Sequence, residues 1–465
     1  MTEPTNVAGA EAQAQAVQAR PTPTTTGRLA LRVLNDEDVA RVHAAALELL
    51  GAEGAAAAAA AQAAPGTFVL AGRVPERDVA LGAGQLWLAA GIATFGSAGV
   101  PSRVRPLAGG DPLPATAEDL DAAVRLVDAL PEVAVLAGPP VHAAGEAALG
   151  ELVRCVSGTS KHVMASGLTS AAEADAAVAM AAAVAGSAAE ASRRPPVSLC
   201  GGADALDAAL AFARVGLPVG LVNPPGDDTG APADADAPDL AATLIRHHAG
   251  VLAGCAAVQA AAPGAPFFYA ADPAAAGLPA AGPSAALFLL AAAQLAALVG
   301  LPVVAGGQRT ASHEPDWQAC TQGAFAALSA TAAGADVTGG AGTLGAGSAF
   351  SPQKLVMDSE IFSWSARIAS GIEVEDETIA LDAIKQVGIG GNYLGQRHTR
   401  RHMKDVWRPR LLDRSMWDAW IASGREDAYE KATELAGRLV AAHTAVPLGD
   451  EVLGTLRSIV AESGL

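Results

Sequence analysis

An eightfold alternation constrains this chain more than any other feature. Short β-rich runs recur through its middle, usually ending in small residues and separated by helical stretches. The runs fall at 92–97, 133–138, 162–167, 197–202, 218–223, 267–272, 302–307 and 336–340. Helical segments lie between them at about 117–130, 146–156, 170–185, 203–215, 237–262, 284–299 and 317–333. Strands that alternate with helices predict a parallel sheet, because a parallel crossover needs a helix-sized connection. Eight strands are also the number that closes a ring, and about 250 residues from first to last is the usual span of such a barrel. A doubly wound open sheet is the alternative, and it more often brings fewer strands and a Gly-rich phosphate loop. The sequence therefore predicts an α/β fold, a (β/α)8 TIM barrel over 91–350. A leader at 1–27, expected to be disordered, and an N-terminal helical cap at 28–90 precede it. A C-terminal helical extension, 351–465, is expected to pack on the barrel with helices at 376–386, 417–423 and 426–442.

Composition narrows the function. Hydrophobic residues make up 51% of the chain and mean hydropathy is +0.30, which looks membrane-like. Much of that content is Ala, at about a quarter of all positions, well above ordinary usage. The long apolar stretches at 251–266 and 285–301 are broken by Gly, Gln or Pro. Neither reaches the roughly 20 strongly apolar residues of a spanning helix, so no membrane partner is expected. Thirty basic residues face 48 acidic ones, net −18. The densest basic run, 397–404, includes two His, so no surface for nucleic acid is expected. The four Cys are scattered without CxxC spacing, which is neither a disulfide framework nor a zinc motif. With no apolar signal segment in 1–27, the cytoplasm is the expected location. His398 and His402 lie four apart without an evident third ligand, so they read as a surface pair and no metal site is expected.

In a β/α barrel the chemistry sits at the C-terminal ends of the strands. That rule picks out Asp227 and Asp228 after the fifth strand, and Tyr269 and Asp272 in and after the sixth. It also picks out Arg309 and His313 after the seventh, Trp317 where the next helix opens, and Phe350 beyond the eighth. Each has a plainer reading. The paired Asp sit in a Pro/Gly turn, Tyr269 is as compatible with core as with ligand, and His313 can cap the helix near Pro315. The glycine-rich loop at 339–347 lacks both GK[ST] and GxGxxG and is a weak phosphate signal.

Longer signatures carry more. They are LNDEDVARVHAAALELLGAEG at 34–54, ALAFARVGLPVGLVNPPGDDTGAPA at 209–233 and LPVVAGGQRTASHEPDWQA at 301–319. The densest is SPQKLVMDSEIFSWSARIASGIEVEDETIALDAIKQVGIGGNYLGQRHTRRH at 351–402, followed by WRPRLLDRS at 407–415. Together they resemble the trimethylamine methyltransferase (MttB) family of corrinoid-dependent methyltransferases. The similarity is to its non-pyrrolysine branch, the glycine betaine methyltransferase-like one, since every residue here is standard. The resemblance implies a barrel fold and transfer of a methyl group from a quaternary or tertiary, betaine-like amine to Co(I). The corrinoid (cobalamin) would be carried by a separate partner protein, with no pyrrolysine. A homo-oligomer is expected as well.

On that footing Tyr269, Trp317, Phe350, Asp227, Asp228 and Asp272 are expected to hold the cation, through aromatic faces and carboxylates. Arg309, His313 and His398 are expected to hold a substrate carboxylate, and no catalytic residue is assigned. The chain departs from the family pattern at 199–202, 223–228 and 309–313. Altered loops on a retained frame imply an altered substrate. Two other readings stay open: a biosynthetic barrel enzyme with divergent, non-corrinoid chemistry, and a non-catalytic betaine-binding homologue.

Overall fold

The chain is described from a computed structural model at residues 24–25, 31–90, 101–222 and 239–464. It begins with helices α1 (Asp36–Leu49) and α2 (Gly54–Ala63), then an antiparallel hairpin of β1 (Phe68–Leu70) and β2 (Val79–Leu81). The barrel opens with β3 (Gln85–Ala90), α3 (Ala117–Ala129), β4 (Val133–Ala137) and α4 (Ala148–Gly158). It continues with β5 (His162–Ala165), α5 (Ala171–Ala185), β6 (Val197–Gly201) and α6 (Leu206–Arg214). Next come β7 (Val219–Leu221), α7 (Leu240–Ala261), β8 (Phe267–Ala271) and α8 (Pro283–Val299). The last units are β9 (Val303–Gly306), α9 (Trp317–Ala333), β10 (Val337–Ala341) and α10 (Pro352–Ala369). Each barrel strand pairs in parallel with the next, and β10 returns to β3 to close the ring.

Two boundaries differ from expectation. The first barrel strand is β3, inside the stretch read as cap, and the run at 92–97 lies outside the described residues. Helix α10, assigned to the extension, packs on α9 and against β10 and is the barrel's eighth helix. The barrel therefore runs from Gln85 to Ala369. Helices α1 and α2 lie on α7 and α8. At the other terminus α11 (Ala428–Ala442) packs on α3 and α10, and α12 (Asp450–Ser463) on α4 and α5. Most of the leader, residues 1–23, lies outside the described residues.

The strands are buried on both faces, so alternate side chains enter two separate cores. Leu86, Leu88, Leu136, Leu199, Phe267 and Tyr269 face outward and pack with the helices. Trp87, Val135, Met164, Cys200, Phe268 and Val304 face inward, and Leu70, Val79 and Leu81 of the hairpin join them. The hairpin closes the N-terminal end of the barrel. Backbone N–H groups of Ala71 and Arg73 donate to the carbonyls of Pro195 and Ser160, just before β6 and β5. Gly82 N–H donates to Asp336 Oδ1 before β10. The helix-facing layer is rich in Ala, which brings helices close without large side chains. Local signals fix the helix starts: Thr116 with Asp119, and Ser170 with Glu173, form capping boxes on α3 and α5. No helix among the described residues is long and apolar enough to cross a membrane.

Candidate active site at the barrel mouth

With the N-terminal end plugged, the C-terminal ends of the strands remain as the mouth. Asp272 directly follows β8, and Arg309 follows β9 by three residues. The Arg309 guanidinium donates to Asp272 Oδ2, and the pair is buried, 4% and 1% exposed. Asp272 Oδ1 also accepts from Ala274 N–H at 2.9 Å. Burial pushes the Asp272 carboxyl up, and Arg309 together with the N–H groups of Ala274 and Ala275 draws it back.

Glycines make room for the pair. A Cβ on Gly306 would lie 2.9 Å from Asp272 Oδ2. One on Gly340, at φ +96°, would press on Arg309 Cγ at 3.1 Å, so glycine suits that position on both counts. With Ala89, Ala137, Met164 and Val304 the pair lines a void of only about 10 Å³. A void of that size admits no ligand of several heavy atoms. The pair's donors are not exhausted. Arg309 Nε has no partner among the described residues, and neither polar atom of the fully buried Gln308 side chain has one.

The loop after β9 is braced from two sides. Gln322 Oε1 accepts from Thr310 Oγ1 at 2.6 Å and from Ala311 N–H at 2.9 Å. Gly345 and Ala346, beyond β10, donate their N–H groups to the carbonyls of Ser312 and Thr310, both at 2.7 Å. Glu314 pairs with Arg105 at 2.6 Å, joining this loop to the segment that follows β3. The glycine-rich loop is likewise structural. Its Thr343–Leu344 and Ala349–Phe350 pair with each other, and the latter pairs with Arg103–Val104. Gly342 N–H is taken by Asp358, itself paired with Lys354 in full burial.

Of the expected residues, the structure brings Asp272 and Arg309 together. Tyr269 faces away from the mouth, in the outer core, with its hydroxyl 3.1 Å from His248 Nδ1. Phe350 is also fully buried, in the core beside Leu355 and Gly342, and offers no face to a ligand. His313 is exposed on the rim with its ring against Gly345, and Asp316, not His313, caps α9. Trp317 opens α9 with its side chain in solvent. His398 sits in the C-terminal segment, its Nε2 2.8 Å from the Glu377 carbonyl and its ring tilted against that of His402. Asp227 and Asp228 lie outside the described residues. Sequence reasoning gives Gln308 no role, since its only signal is its place just after a strand.

A closed β/α barrel with a buried charge pair at its C-terminal mouth defines a barrel enzyme. The family model described as trimethylamine methyltransferase (MTTB) matches residues 52–463, and the chain belongs to this family of methyltransferases. Trimethylamine methyltransferase MttB of Desulfitobacterium hafniense is 31% identical over 86% of this chain and 82% of its own length. Glycine betaine methyltransferase, from another strain of that organism, is 32% identical over 48% of each chain. Among solved structures, the hydroxylamine MtmB complex covers 88% of both chains at TM-score 0.43 and 11% identity.

Proposed function

We propose that the chain moves a methyl group from a quaternary amine bearing a carboxylate, a betaine, to the reduced cobalt of a separate corrinoid protein. The observation that carries this reading is the Asp272–Arg309 pair. A buried ion pair presents a negative and a positive end side by side, and its complement is a zwitterion laid antiparallel to it. The substrate ammonium then faces Asp272, and its carboxylate meets the unpaired Nε of Arg309 and the Gln308 amide. Relatives named for trimethylamine and for glycine betaine support an N-methylated amine substrate, and the ion pair favours the betaine.

A quaternary ammonium departs as a neutral tertiary amine, so nitrogen requires no general acid. The protein's work is to strip water from the cation and aim one methyl outward along the barrel axis. The corrinoid, held by its own protein, supplies the methyl acceptor. This chain need only leave an approach from the mouth side of the pair. Four free cysteines accord with a cytoplasmic setting.

Calorimetric titration tests the substrate class. A charge-assisted hydrogen bond to the carboxylate is worth about 1.5–3 kcal/mol, or roughly 10- to 100-fold in affinity. Glycine betaine should therefore bind at least about tenfold tighter than choline, which keeps the cation and lacks the anion. Equal affinities would remove Arg309 from the substrate's binding site.

A further inference from the structure

A cleft opens on the outer flank of the barrel, where the C-terminal helices meet it. Barrel helices α3 and α4 form one wall, and the other is residues 441–445 with α12. Its volume is about 770 Å³, in the range of small-molecule sites, against about 10 Å³ beside the Asp272–Arg309 pair. The two voids share no lining residue.

Three arginines and His443 line the cleft against two carboxylates. Both carboxylates are spent on one arginine, since Arg154 meets Asp121 at 2.9 Å and Glu146 at 3.5 Å. Those contacts fix the guanidinium, yet its buried Nε has no partner among the described residues. His443 is held in turn, its Nε2 2.8 Å from Asp128 Oδ2. Arg125 donates to the Val440 carbonyl at 3.2 Å. Neither it nor Arg457, which comes from α12 across the cleft, has an ion-pair partner among the described residues. On a chain with 48 acidic residues to 30 basic, two arginines without a carboxylate on one cleft leave room for an anion from solution.

The lining also sets the kind of anion. An arginine fork takes carboxylate or phosphate in bidentate fashion. No Phe, Tyr or Trp lines the cleft, so a nucleobase has no ring to stack on, and Leu453 and Val460 offer aliphatic surface instead. We propose that the cleft binds a small aliphatic polyanion, a tricarboxylate or a phosphate monoester, between the barrel and its C-terminal helices. The site goes beyond methyl transfer and rests on no step at the mouth.

Calorimetric titration of the full-length protein with citrate and with glycerol 3-phosphate, at constant ionic strength, tests it. One of the two should bind at one site per chain with Kd below about 1 mM, and acetate at least about tenfold more weakly. The tighter of the two names the source. Arg125→Gln/Arg457→Gln should weaken that binding at least about tenfold with an unchanged far-ultraviolet circular dichroism spectrum. Arg457→Glu alone, on an exposed side chain, should do the same. Asp272→Leu/Arg309→Met, at the mouth, should leave it intact. Failure of both anions to bind overturns the proposal, as does binding that survives the substitutions at Arg125 and Arg457. Binding lost in the mouth variant overturns it too, and moves the anion to Arg309.

Discussion

Arg309→Met is expected to abolish useful methyl transfer and to destabilise the protein at the same time. Removing the guanidinium strands the Asp272 carboxylate in a site 1% exposed. Breaking a buried pair from one side costs about 3–5 kcal/mol, because the remaining charge is neither solvated nor paired. Asp272→Leu strands Arg309 in the same way. The double variant Arg309→Met/Asp272→Leu replaces the pair with apolar groups of similar size and should recover most of the lost stability, as buried pairs commonly do. Activity should not return with it. If the pair binds the zwitterion, kcat/KM stays down by roughly 30-fold or more in all three variants, the loss of one buried, charge-assisted contact. Urea midpoints and betaine kinetics on the same preparations separate the two effects. A double variant as active as the wild type would reduce the pair to scaffold.

Acid should unfold the protein early. His162, His247 and His248 are buried, and burial lowers them to about 4, about 4 and about 3. His162 Nε2 lies 2.8 Å from Ser198 Oγ, and His248 lies between His43 and Tyr269. Each is held neutral in the fold, while the unfolded chain takes up a proton near pH 6.5. The stability they contribute is complete above pH 6.5 and is lost as pH falls from there toward the folded values. Linkage puts the loss at about 2 kcal/mol per imidazole by pH 5, or about 6 kcal/mol for the three, a large share of a typical folding free energy. The buried carboxyls of Asp272, Asp336 and Asp358, raised by burial, act in the opposite direction at the acid end. A difference measurement therefore serves best. His248→Gln, which keeps a hydrogen-bonding side chain, should flatten the fall in urea stability between pH 7.5 and 5 by about 2 kcal/mol. An unaltered slope would show that His248 does not hold off a proton in the fold.

The alternation made the barrel legible because buried parallel strands read as short runs of Val, Leu and Phe between Ala-rich helices. The first strand slid out of place because Gln85–Ala90 is followed closely by a second β-rich run, 92–97, with the stronger aromatic and β-branched signal. Helix α10 had its start written in Ser351–Pro352, an N-cap followed by proline at the first turn. The fall in Ala content at that point masked it as a domain boundary. Within the site, Asp272 and Arg309 were readable from their places after strands. The phase of Tyr269 was not, since a strand buried on both sides carries no polar face to orient it. Phe350 depends on a pairing with Arg103–Val104, distant in sequence, which no local pattern announces. That Arg309 keeps a free Nε over Asp272 is a matter of geometry alone.

The central claim is that the Asp272–Arg309 mouth presents a betaine for methyl transfer to cobalt. The most direct measurement supplies methyl-labelled glycine betaine to the purified protein with cobalamin held in its Co(I) state. The account predicts that label passes to the corrinoid while dimethylglycine accumulates in equal amount, and that Arg309→Met suppresses both. Betaine recovered unchanged, under conditions where calorimetry shows it bound, would contradict the account and leave a betaine-binding protein in its place.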